Sequence, residues 1–291
     1  MGNVQSIQYY ENLDRLYNGH DDYLIATETS PHVVKNLTLL KDDKTIFLYD
    51  GPEVLDHHMK IICGVENLTI DQFPIITGLG FSYLTFLKEI TIKNCKSITN
   101  DNLYYLSKCE SVTIDRCLLI TDDGIKYLAN CTKVSLDCPQ ITNQSCEYLM
   151  NCLHVTIKSS QYITDDGLIY LQNCYYINLT NCQNITDAGT IFLSNCKEIV
   201  LDLCNKITDE TLKNLGICTH VNLNFCNKIT DIGLLYLSDC THLEIKGCIN
   251  VTCLNKKYMP YLISVDMTGC YNINQNQKKY LASQGVICTY Y

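Results

Sequence analysis

Glu198, His220 and His242 stand 22 residues apart, placing a carboxylate and two imidazoles at one recurring position. On adjacent parallel strands they would lie about 4.8 Å from one another. At that spacing they could hold a divalent cation or share a proton. His154 falls three rungs from His220, roughly 14 Å away, and cannot join them. Histidine and glutamate are also ordinary choices for a solvated strand. No nucleophile–base–orienter set, glycine-rich phosphate loop or cysteine pair with zinc spacing accompanies them. The expectation is therefore a protein without enzymatic activity, metal or cofactor.

Cysteine is the other reactive side chain, with 19 copies in 291 residues. Seven (Cys109, Cys131, Cys152, Cys174, Cys196, Cys218, Cys240) recur at one position of a repeat, and eight (Cys95, Cys117, Cys138, Cys182, Cys204, Cys226, Cys248, Cys270) at another. Phe73 and Ser160 replace cysteine in the second series. A metal ligand would not tolerate phenylalanine, whereas a buried space-filling position can. The cysteines read as buried thiols, with a metal or redox protein as the third-ranked function.

What must position these residues is a strand-plus-helix unit written over and over. In Ile163–Asn184, Leu168 and Leu171 have helical spacing, and Ile177-Asn178-Leu179 alternates like a half-buried strand. The marker Ile163 recurs as Val54, Ile76, Ile98, Ile120, Ile141, Ile185, Ile207, Ile229, Val251 and Ile273. Every step is 22 residues except the 21 from Ile120 to Ile141. A unit this short cannot bury its own apolar face and must stack on its copies. The Thr-Asp pair after the markers (Thr164-Asp165, Thr186-Asp187, Thr208-Asp209, Thr230-Asp231) reads as helix capping, with the Asp accepting N–H groups of its own helix. Asn100 and Asn143 can fill the same role.

The string ITDDG-L-x-x-L, a following Cys, then I-x-L and Cys, resembles the cysteine-containing subclass of leucine-rich repeats. That subclass is best known from the substrate-recognition arms of F-box ubiquitin-ligase subunits. The resemblance covers roughly residues 30 to 291. It implies an α/β fold, a right-handed horseshoe solenoid with a parallel sheet on its concave face and helices on its convex face. It also implies a protein-binding role. The segment ahead of residue 30 is shorter than an F-box and lacks its Leu-Pro opening, so the family's ligase role is carried as the alternative function.

The domain expectation is a helical cap over 1–29, with Ser6 capping and Ile7, Tyr10, Leu13 and Tyr17 on one face. A degenerate capping repeat over 30–53, regular repeats over 54–272 and a closing repeat over 273–291 follow. Net charge is −9, and no basic cluster offers itself to phosphate, which argues against a nucleic-acid partner. No run approaches a membrane span and the N-terminus lacks a secretory pattern, so a cytoplasmic monomer is expected.

Side chains flanking the buried strand pairs should face solvent. The early rungs present mainly Thr, Ser, Asp and Lys. The rungs from Tyr176 to Lys246 are more distinctive: Tyr176, Asn178, Glu198, Asp202, His220, Asn222, Asn224, His242, Glu244 and Lys246. These ten are the candidate protein-binding residues. An outer ladder of Tyr83, Tyr105, Tyr127, Tyr148, Tyr170, Phe192, Tyr236, Tyr258 and Tyr280 reads as helix packing, with a second interaction surface as its sharper interpretation.

Met1-Gly2-Asn3-Val4-Gln5-Ser6 matches the myristoylation pattern, with Gly2 the acceptor. A single acyl chain gives only weak membrane association. If the motif is read, intact-mass measurement of protein from its native host should show Gly2→Ala losing one myristoyl increment. Equal masses, apart from the substitution, would remove Gly2 as a lipid site.

Overall fold

A computed structural model describes residues 4–7, 37, 40–49 and 54–290. Gly2 and most of the expected N-terminal cap lie outside the described residues. Ile7, expected to enter a helix capped by Ser6, instead ends strand β1 (Val4–Ile7).

The chain divides into two compact units, Met1–Gln140 and Ile141–Tyr291. In the first, β1 is followed by β2 (Thr45–Tyr49), β3 (Asn67–Asp71), β4 (Glu89–Lys93), β5 (Ser111–Asp115) and β6 (Lys133–Asp137), each parallel to the next. The second carries β7 (His154–Ile157), β8 (Tyr176–Asn178), β9 (Glu198–Val200), β10 (His220–Asn222), β11 (His242–Glu244), β12 (Ser264–Asp266) and β13 (Ile287–Thr289), also parallel in chain order. The register follows from the period. Ile177 faces Ile199, and Ile199 faces Val221, each 22 residues on. The alternation of the strands sends Ile, Val and Leu inward, and every marker from Val54 to Ile273 is at most 2% exposed. This is the leucine-rich repeat solenoid architecture, α/β with a parallel sheet and short helices opposite.

The helices are shorter than the sequence suggests. Residues 56–62, 79–83 and 100–106 form 3₁₀ turns, and Asp165–Leu168, Asp187–Thr190 and Asp231–Leu234 are single α-turns. A 22-residue unit that must also supply a strand and two turns leaves room for little more. The Thr-Asp reading needs correcting. Threonine is the cap: Thr186, Thr208 and Thr230 accept the N–H groups of Ala188, Glu210 and Ile232 at 3.2–3.3 Å. The aspartate already lies inside the helix, and its carboxylate reaches the next repeat. Asp187 accepts the Thr208 N–H at 2.7 Å and the Thr208 hydroxyl at 2.8 Å. Asp165 holds Thr186 and Asp209 holds Thr230 in the same way. Asn100 and Asn143 clasp Thr121 and Thr164, their Nδ2 donating where a carboxylate would accept. Burial opposes ionisation of Asp187, but hydrogen bonds from Thr211 and Thr208 prevail and hold its carboxyl below the ordinary value.

The clasp explains the following glycine. A Cβ at Gly189 or Gly233 would collide with the Asp165 or Asp209 carboxylate. Where the clasp position is itself glycine, at Gly78, the next repeat carries Asn102 in place of glycine and fills the space. The 21-residue step has an equally local origin. One residue per rung, from Gln72 and Asn94 to Gly247 and Gly269, turns the strand end with positive φ. Between Asp137 and Cys138 that residue is missing.

Both cysteine series are buried. The second is also directional: Cys182, Cys204, Cys226, Cys248 and Cys270 donate to the carbonyls of Ile157, Leu179, Leu201, Leu223 and Ile245 at 2.9–3.4 Å. Ser160 likewise donates to the Ile141 carbonyl at 3.3 Å. Burial pushes the Cys182 thiol up to about 11 and Cys204 and Cys248 to about 12, from an ordinary value of 9.0. The folded chain therefore keeps protons that the unfolded chain loses above pH 9. Stability is full below that value and falls as pH rises towards 12. The urea midpoint should be flat from pH 7 to 8.5 and decline above pH 9, with several protons released on unfolding. A midpoint unchanged to pH 11 would contradict this.

Candidate interaction site on the sheet face

The strand periodicity that buries Ile177, Ile199, Val221, Leu243 and Val265 turns their neighbours to solvent. Within the second unit these neighbours line a shallow groove of about 450 Å³. Tyr176, Glu198, His220, His242 and Ser264 form one row, and Val200, Asn222, Glu244 and Asp266 the next, with Thr289 at the end. Six of the ten candidate residues are thus brought together: Tyr176, Glu198, His220, Asn222, His242 and Glu244. Val200, Ser264, Asp266 and Thr289 join them.

The other four lie outside the groove lining. Asn178 accepts the Thr180 N–H and hydroxyl at 3.0 and 2.7 Å and donates to the Tyr176 hydroxyl at 3.4 Å. Asn224, expected on the solvent face, is buried. Its Oδ1 accepts the Lys246 N–H at 2.8 Å, and its Nδ2 donates to Asp202 and Glu244. Asp202 in turn accepts the Asn224 N–H at 2.9 Å. Both side chains therefore tie the strand ends together, because the backbone there leaves the regular ladder for the positive-φ turn. Burial raises the Asp202 carboxyl above its ordinary value, against the hydrogen bonds from Asn224. Lys246 pairs with Glu244 at 3.3 Å and Asp266 at 3.4 Å. Asp266 is partly desolvated, which would raise its carboxyl, but hydrogen bonds from Thr268 and the nearby Lys246 charge prevail and lower it.

The two imidazoles are stacked, with ring centroids 4.3 Å apart and planes within 4°. The threonine before each ring sets this posture. Thr219 donates its single hydroxyl hydrogen to the Lys197 carbonyl at 3.2 Å, and Thr241 donates to the Thr219 carbonyl at 2.9 Å. With the hydroxyl hydrogens on those carbonyls, the contacts with His220 Nδ1 at 3.1 Å and His242 Nδ1 at 2.9 Å are made by Nδ1–H donors. The neutral rings therefore offer Nε2 as an acceptor. These threonines were legible only as a Thr-His dipeptide repeated 22 residues apart. Parallel planes send the two Nε2 lone pairs side by side rather than to one point, a poor arrangement for a shared cation. Among the described residues no group of three His, Cys, Asp or Glu side chains converges for a metal. The outer tyrosines are partly exposed, and Tyr104 packs edge-on against both Tyr105 and Tyr127.

Comparison with known proteins agrees with this architecture. A family profile described as Leucine Rich repeat matches residues 219–238. No curated protein matches the chain. A chain in the crystal structure of the Rad7 and Elc1 complex in yeast is similar at 14% identity and a TM-score of 0.65, covering 86% of this chain and 76% of its own. An internalin (inlF) from Listeria monocytogenes is similar at 16% identity and a TM-score of 0.59, covering 82% and 75%. These matches show that the chain has the leucine-rich repeat fold, with the repeat profile itself recognised over residues 219–238. Among the described residues no helix is long and apolar enough to cross a membrane.

Proposed function

We propose that the chain is a non-enzymatic interaction scaffold, cytoplasmic and monomeric, that binds a protein partner along the sheet face of its second unit. The carrying observation is the groove: adjacent rungs present aromatic, imidazole, amide and carboxylate groups in two aligned rows. A partner gains many weak contacts only by lying across several rungs. A second reading, the recognition subunit of a ubiquitin ligase, draws on the resemblance of the repeats to F-box recognition arms. The yeast neighbour, a complex of Rad7 with Elc1, lends this fold a partner-binding precedent. Weak membrane association through Gly2 is compatible with either.

Affinity purification from native cells with mass spectrometry tests the proposal. Tyr176→Ala and His220→Ala should each reduce the recovered partner about tenfold or more, the effect of a central contact worth over 1 kcal/mol. Thr91→Ala and Thr113→Ala, on the first unit's sheet, should change it little. Folding should persist in all four, because none of these side chains belongs to a buried strand pair. Co-purifying cullin or adaptor subunits would favour the ligase reading. Equal losses from both pairs, or none from Tyr176→Ala and His220→Ala with folding intact, would place the site elsewhere, with the outer tyrosine ladder the next candidate.

A further inference from the structure

Glu198 occupies an unusual place on the second unit's sheet. Along its row, His154 and Tyr176 stack on one side with centroids 5.9 Å apart and planes at 27°. His220 and His242 stack on the other. The pairing His154↔Tyr176↔Glu198↔His220↔His242 makes Glu198 the single carboxylate between two aromatic pairs. Tyr176 and His220 are two rungs apart, about 9.6 Å at ordinary strand spacing. That gap admits one planar group about 4.8 Å from each ring, inside the range of cation–π attraction.

The hydrogen-bonding character of the site is one-sided. With the threonine hydroxyls directed to the carbonyls, the Nε2 atoms of His220 and His242 are acceptors, and the Glu198 carboxylate accepts only. The cations nearby are engaged elsewhere: Lys246 pairs with Glu244 and Asp266, and Lys197 donates to the Ile217 carbonyl at 3.4 Å. Among the described residues the Glu198 carboxylate has no ion-pair or hydrogen-bond partner. A floor of acceptors walled by aromatic faces complements a flat, donor-only cation. Guanidinium is that group, since it pairs with a carboxylate through two parallel N–H donors and stacks on rings. Ammonium matches the charge but not the plane.

We propose that the partner segment is extended and carries an arginine whose guanidinium pairs with Glu198 between the Tyr176 and His220 rings. This rests on the sheet face being the binding surface. It adds the chemistry of the residue recognised there.

The test uses the full chain with ¹³C-labelled histidine, the His220 and His242 ring signals being assigned from His220→Gln and His242→Gln. The probe is the capped peptide acetyl-Gly-Ser-Arg-Ser-Gly-amide, compared with its lysine counterpart and with free arginine. The arginine peptide should move the His220 signal saturably and bind about fivefold or more tightly than the lysine peptide, roughly 1 kcal/mol of stacking. Glu198→Gln should weaken it at least as much. Glu89→Gln, at the same strand position in the first unit, should leave it within about twofold. No saturable shift, equal affinity for arginine and lysine, or equal losses from Glu198→Gln and Glu89→Gln would overturn the proposal. Tighter binding of free arginine than of the peptide would also overturn it, as a site for an amino acid rather than a protein segment. Because the probes are synthetic, these failures are distinguishable from failure of the sheet face itself, which partner capture and its loss in Tyr176→Ala measure independently.

Discussion

The contact on which the stack depends is the clasp from the carboxylate or carboxamide of one repeat to the threonine of the next. No repeat can bury its own apolar face, so stability comes from the fit between neighbours. Apolar packing alone is tolerant of small slides. The clasp is not, because one side chain must meet both an N–H and a hydroxyl at 2.6–2.8 Å. It fixes the offset of each repeat, and two sequence features follow from it. At Gly124, Gly167, Gly189 and Gly233, four residues after the marker, the clasping side chain fills the space a Cβ would take. The Gly78/Asn102 exchange keeps that space filled when the clasp is absent, and Thr211 instead donates its hydroxyl to the clasping Asp187. Buried thiols extend the same principle to the strand side, Cys182, Cys204, Cys226, Cys248 and Cys270 each reaching a carbonyl of the preceding rung.

This register turns a one-dimensional pattern into a groove. Glu198 and His220 are distant in sequence, and neither sits near an enclosed cavity. Their proximity depends on β8 to β12 pairing without offset, so that residues 22 apart become neighbours. The same geometry makes the groove shallow. One strand per repeat supplies two outward side chains, so a partner bound as proposed would have to lie across several rungs and read the sequence of side chains along each row.

The fold was legible because its signal is redundant: each marker and strand pair is repeated, and a period of 22 overrides any local ambiguity. The site was legible to the extent that alternation dictates direction, which placed Tyr176, Glu198, His220, Asn222, His242 and Glu244 correctly on the solvent face. It failed at Asn224 because alternation ends with the strand. The positive-φ turn that follows rotates that amide onto the backbone of its neighbours, and Asp202 goes with it. Asp187 and its equivalents depart from the capping role their spacing predicts for a related reason. Spacing within a repeat reveals that an acidic residue lies at a helix start, but not that its carboxylate leaves that helix for the next one. The stacking of His220 on His242 required the threonine hydrogen bonds, which depend on where a hydroxyl hydrogen goes.

A double-mutant cycle on Asp209 and Thr230 tests the clasp most directly, since Asp209 makes both of its hydrogen bonds to that residue. Urea unfolding of wild type, Asp209→Ala, Thr230→Val and the double variant should give a coupling of about 1–2 kcal/mol for the hydroxyl–carboxylate bond, valine keeping the backbone N–H that Asp209 also accepts. Thr230→Val also removes the cap to Ile232, a loss the cycle subtracts. A coupling within about 0.3 kcal/mol of zero, with both single variants folded, would contradict the account and remove the threonine hydroxyl from what sets the register.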